Sequence, residues 1–131
     1  MTTSYYPSLD EFDDTPIRID REPNVSGTSL QGNVLANYGE LFDAFGAPDY
    51  WSDVCYEDGG DKVNCEWCLT IDGVPVTIYA WKEDKKYTKV TDWHVGGHTR
   101  TAHEKVKEAL KCYRAWKSSG APRIWNTGGE I

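Results

Sequence analysis

The sequence predicts an α+β domain: an antiparallel, three- to four-stranded sheet with two helices packed on one face. Three observations carry this expectation. Residues 63–71 and 74–80 alternate apolar and polar side chains on either side of Asp72-Gly73, the strongest short-range signal for a β-hairpin. Two segments, around Leu41 and around Val106, repeat apolar residues at helical spacing. At 131 residues, the chain matches the usual size of one domain.

The elements follow in order. Residues 1–27 read as an irregular acidic arm, with Pro7, Pro16 and Pro23 and a cluster of Asp10, Glu11, Asp13 and Asp14. Within it, Ile17 and Ile19 alternate with Arg18 and Asp20, the pattern of a short edge strand. The domain proper spans residues 28–120. Leu30 and Val34 predict a strand running through Gly32. Asn37 and Glu40 form a capping box, Leu41, Phe42 and Phe45 follow at helical spacing, and Gly46 and Pro48 end a helix of about two turns. Residues 47–61 form a loop. In the hairpin, a two-residue turn pairs Ile71 with Val74. That register turns Trp67, Leu69, Ile71, Val74, Val76 and Ile78 to the core. The opposite face shows Glu66, Cys68, Thr77, Tyr79 and Trp81. A third strand is expected from Tyr87 to Val95, broken by Gly96-Gly97. Thr99 or Thr101 caps a long helix, Thr101 forming a capping box with Glu104. Ala102, Val106, Ala109, Leu110 and Tyr113 share one face of that helix, and Gly120 and Pro122 end it. Residues 121–131 are a short tail containing Trp125. The order is strand, helix, three-stranded meander, helix.

Charge narrows the function. The net charge of −7 repels phosphate backbones, which disfavours direct nucleic-acid binding, and attracts basic protein surfaces. No apolar run is long enough for a membrane span, and the acidic start lacks the features of a secretory signal. Cys55, Cys65, Cys68 and Cys112 are therefore expected to be reduced thiols of a cytosolic protein.

The spacing Cys65-x-x-Cys68 suits half of a zinc site, but in an alternating strand positions three apart point to opposite faces, and no second ligand pair stands at matching spacing. His94, His98 and His103 lack a nucleophile or an orienting carboxylate in any known motif. No phosphate-binding loop, nucleophile elbow, zinc-protease motif or dinucleotide fingerprint occurs. The expectation is a non-enzyme without metal or cofactor. Two binding candidates remain. Trp93, His94, Gly96, Gly97, His98 and Arg100 run from a strand end through two glycines into a helix start. That arrangement suits a small anion or simply makes a tight strand-to-helix turn. Tyr50, Trp51, Tyr56, Tyr79 and Trp81 lie among Glu57, Asp58 and Asp61. Such a mixture suits a protein interface that selects a basic partner, or else an aromatic cluster under the long loop.

The run Leu30-Gln31-Gly32, Tyr38-Gly39-Glu40-Leu41 and Phe45-Gly46-Ala47-Pro48 resembles small accessory proteins of tailed bacteriophages, a family without an assigned activity. The resemblance continues through Lys62-Val63, Glu66-Trp67, Asp72-Gly73, Thr77-Ile78-Tyr79, Trp81-Lys82 and Trp93-His94-Val95-Gly96-Gly97-His98. It covers about residues 30–110. By analogy with small acidic phage proteins that block host defence enzymes, it implies an anti-defence, anti-CRISPR-like inhibitor acting in the host cytosol. The alternatives are a sponge for an anionic nucleotide signal at the Gly96-Gly97 turn and a virion component.

Overall fold

The computed structural model describes residues 3–22 and 24–120, together with the backbone of residues 124–126. The hairpin is its organising element. Asp72 and Gly73 both take positive φ, +51° and +80°, as the mirror-type two-residue turn requires. Ile71 pairs with Val74 and Trp67 with Ile78, which buries Trp67, Leu69, Ile71, Val76 and Ile78 on one face.

Around this hairpin, among the described residues, stands an antiparallel sheet of eight strands, not three or four. In chain order these are β1 (Thr3–Tyr6), β2 (Ile17–Arg21), β3 (Ser29–Leu35), β4 (Tyr50–Trp51), β5 (Val63–Ile71), β6 (Val74–Trp81), β7 (Asp92–Gly97) and β8 (Ile124–Asn126). Seven lie side by side as β3-β7-β6-β5-β2-β1-β8. The short β4 pairs with Cys65 and Glu66 of β5, and β2 takes residues 69–71 of the same strand.

The stretch read as an irregular arm therefore supplies two strands. The segment expected at an edge, β2, lies inside the sheet between β5 and β1. Apolar side chains explain this placement: Tyr6, Ile17 and Ile19 are buried and extend the core face of the hairpin. Of the tail, Ile124–Asn126 pairs with β1. Residues 121–123 and 127–131 lie outside the described residues.

The two helices, α1 (Tyr38–Phe45) and α2 (Thr101–Ser119), cover that core face. The predicted capping box starts α1: Asn37 accepts from the Glu40 amide, and the Glu40 carboxylate accepts from the Asn37 amide. Two buried tryptophans clamp its ends. Trp93 Nε1 donates to Ala36 O at 2.9 Å and Trp67 Nε1 to Gly46 O at 2.8 Å. Their rings meet edge to face, 5.4 Å between centroids. Two indoles are thus buried with their N–H groups satisfied. The helix α2 buries the expected face of Ala102, Val106, Ala109, Leu110 and Tyr113, and Gly120 ends it at φ +72°.

Two expectations around β7 need correction. Gly96 and Gly97 do not break the strand; both belong to it, and Tyr87–Lys89 is a separate helical turn. A Cβ at Gly97 would lie 2.1 Å from the Ala102 Cβ, so the residue is a point of close approach between strand and helix. Arg100, not Thr99 or Thr101, occupies the N-cap of α2, without a side-chain capping bond. Backbone bonds hold the first turn instead, from Ala102 N to Thr99 O and from Glu104 N to Arg100 O.

Candidate functional site

The face of the sheet away from the helices carries the aromatic and acidic residues. Register brings Tyr50, Glu66, Tyr79 and His94 into one row across β4, β5, β6 and β7. Trp81 follows Tyr79 by two residues on the same face, and the two rings meet edge to face at 6.3 Å. The loop after β4 returns over this corner. Its helical turn, Tyr56–Asp58, is tied to the end of β6 by Tyr56 N donating to Glu83 O at 3.1 Å. Tyr50 Oη donates to Asp61 Oδ2 at 3.0 Å.

Lys82 completes the corner. Its ammonium sits 5.8 Å from the Tyr56 ring centroid and 5.7 Å from that of Trp81. Both distances fall within cation–π range. Tyr56 and Trp81 remain 39% and 40% exposed, which a ring seated in a core would not be. Glu57 and Asp58 flank them, exposed and without an ion pair among the described residues.

The structure thus brings together seven of the eight residues expected at a partner surface: Tyr50, Tyr56, Glu57, Asp58, Asp61, Tyr79 and Trp81. The eighth, Trp51, turns the other way. It pairs with the buried Cys65 and rests on Tyr87 at 5.9 Å, and Tyr87 in turn meets Tyr38 of α1. Adjacent strand residues point to opposite faces, so Tyr50 and Trp51 cannot serve one surface. Sequence reasoning missed Lys82, although its place directly after Trp81 in a polar turn was a signal.

Burial shapes the row's ionisation. It raises the Glu66 carboxyl above its ordinary value, and it raises the Tyr79 phenol, to which Glu66 adds. Burial also pushes the Cys68 thiol up to about 12, assisted by the charges of Glu66 and Asp49. Cys65, buried on the opposite face, is pushed up to about 12 as well. Both thiols are therefore protonated at neutral pH, the wrong state for a nucleophile.

The residues of the second candidate do not converge. Trp93 is 0% exposed and committed to the core. His94 lies on the opposite face, stacked on Tyr79 at 5.4 Å, with a buried Nδ1 that has no partner among the described residues. Gly96 and Gly97 are buried, while His98 and Arg100 are exposed. Gly97 serves helix packing, and Trp93 cannot stack on a ligand. Among the described residues, no three His, Cys, Asp or Glu side chains gather as a metal site would need. No helix there is long and apolar enough to cross a membrane.

No family model matches the chain, and no curated protein or solved structure matches it.

Proposed function

We propose that this is a non-catalytic protein-binding module that takes a basic segment of a partner onto the corner of Tyr50, Tyr56, Tyr79 and Trp81. One observation carries the reading: two half-exposed rings already hold an ammonium, that of Lys82, beside the unpaired carboxylates of Glu57 and Asp58. A surface that binds its own lysine this way has the chemistry to bind a partner's arginine or lysine. The partner is a host protein with a basic surface, such as a nucleic-acid-handling defence complex. The chain acts on it as an anti-CRISPR-like phage accessory protein, in the host cytosol. The acidity of the chain supports that choice, because a surface built for phosphate also attracts carboxylates.

The test has two arms. In calorimetry, an arginine-rich peptide should bind, and a glutamate-rich peptide of equal length should not. In cells that restrict phage by a nucleic-acid-targeting system, expression of the chain should restore plaques, and the W81A variant should not while keeping its melting temperature. Restored plaques with W81A would move the interface elsewhere. No restored plaques with the wild-type chain would remove the inhibitor reading.

A further inference from the structure

At the β3 edge of the sheet, β3 and the flank of α2 enclose a groove of about 470 Å³. It is lined by Asn33, Val34 and Leu35 of β3 and by Lys107, Leu110, Lys111 and Arg114 of α2, with Val34 and Leu110 buried beneath it. The cations lie four and three residues apart, so they follow one side of the helix. On a chain with net charge −7, Lys107 and Lys111 stand at this hollow beside Arg114, which is paired with Glu40.

The backbone sharpens the observation. Among the described residues, β3 pairs only with β7. The ladder bond from Ala36 N to Thr91 O sets the alternation, so Asn33 and Leu35 turn their amide and carbonyl groups outward. An open edge normally offers donors and acceptors alike. Here both outward carbonyls are already taken. His103 Nε2 donates to Asn33 O at 2.8 Å, and Arg114 Nη2 donates to Leu35 O at 2.9 Å. Gly32 makes the first contact possible, since a Cβ there would lie 2.6 Å from the His103 ring. Glu40 holds Arg114 in place, accepting from its Nε at 2.9 Å.

What this edge leaves open is donors: the amides of Asn33 and Leu35 and the ammonium groups of Lys107 and Lys111. Among the described residues, neither lysine has an ion pair. A strand adding opposite Asn33 and Leu35 would bring amides of its own and find both of these carbonyls already engaged, which disfavours sheet extension there. A ligand that only accepts, and carries negative charge, meets every open group. Val34 and Leu110, which line the groove, then favour an apolar body. The volume lies within the roughly 300–1,000 Å³ of small-molecule sites.

We propose that this groove binds a small amphipathic anion, a carboxylate or phosphate head on a short aliphatic body. Calorimetry with octanoate and octyl phosphate tests it and separates the two head groups. At least one should bind once per chain, with octanol and acetate at least about tenfold weaker, a difference of roughly 1.4 kcal/mol. The amide resonances of Asn33 and Leu35 should shift on binding. The double variant K107E/K111E should weaken binding by about tenfold or more and leave the melting transition in place. The milder K107Q/K111Q serves if charge reversal disturbs the fold. The proposal is overturned if neither alkyl anion binds, if octanol binds as tightly, or if both lysine variants bind like the wild type.

Discussion

Lys82 shows how much one residue can hold. Its φ of +50° is a left-handed conformation that costs a residue with a Cβ about 1–2 kcal/mol. The backbone amide donates to Lys62 O, and the ammonium covers two rings. Lys82→Gly should relieve the strain and be more stable than Lys82→Ala by about 1 kcal/mol in denaturant unfolding. Both variants should bind the arginine-rich peptide more tightly than the wild type, because the rings are vacated. Weaker binding would mean that Lys82 props the rings open and does not compete for them. Trp81→Ala should cost about 2 kcal/mol or more of peptide affinity, whereas Trp51→Ala, which loses contact with Tyr87, should lower stability and leave affinity unchanged. At Glu66, burial raises the carboxyl above its ordinary 4.5. Between that value and the raised one, the folded chain binds more protons than the unfolded chain, so stability falls as pH rises through this window. Glu66→Gln should therefore raise the melting temperature at pH 7 and lose that advantage near pH 4. The opposite pattern in a pH series would show that the charged carboxylate has a favourable partner.

At the scale of elements, the hairpin and both helices were legible because their signals are local. Asp72-Gly73 demands a particular turn, Asn37 and Glu40 cap within one helical turn, and the face of α2 repeats within its own length. Gly73→Val should destabilise the chain by about 1 kcal/mol or more, since a β-branched residue resists positive φ. Gly97→Ala should cost about 1–3 kcal/mol by overpacking against Ala102, read as a lower denaturant midpoint with an unchanged slope. Illegible were the elements whose reason is distant. β1 is short and proline-flanked, and what makes it a strand is pairing with β2 and β8 and burial of Tyr6; β2 was legible from Ile17 and Ile19, but its place inside the sheet, against β5, was not. Gly96-Gly97 looked like a break because glycine usually interrupts a strand, while its reason lies in the helix that follows. In the candidate site, alternation correctly placed Tyr79 and Trp81 outward. The opposite orientations of Tyr50 and Trp51 needed the two-residue strand β4, too short to show a period of its own.

At the scale of the molecule, the two proposed surfaces rely on side chains of opposite charge. The carboxylates of Glu57, Asp58 and Asp61 stand at one corner of the sheet, and Lys107, Lys111 and Arg114 line the groove beside its outermost strand β3. Neutralising Glu57, Asp58 and Asp61 together should slow association with a basic peptide and flatten its dependence on salt, measured by stopped flow. An unchanged salt dependence would assign the steering to the acidic stretch Asp10–Asp14 instead. The sheet order has one more consequence. The first strand of the chain, β1, lies between β2 and the last strand, β8, with Thr3 opposite Asn126. Because β8 covers the second edge of β1, that edge stays unpaired during folding until Ile124–Asn126 has docked.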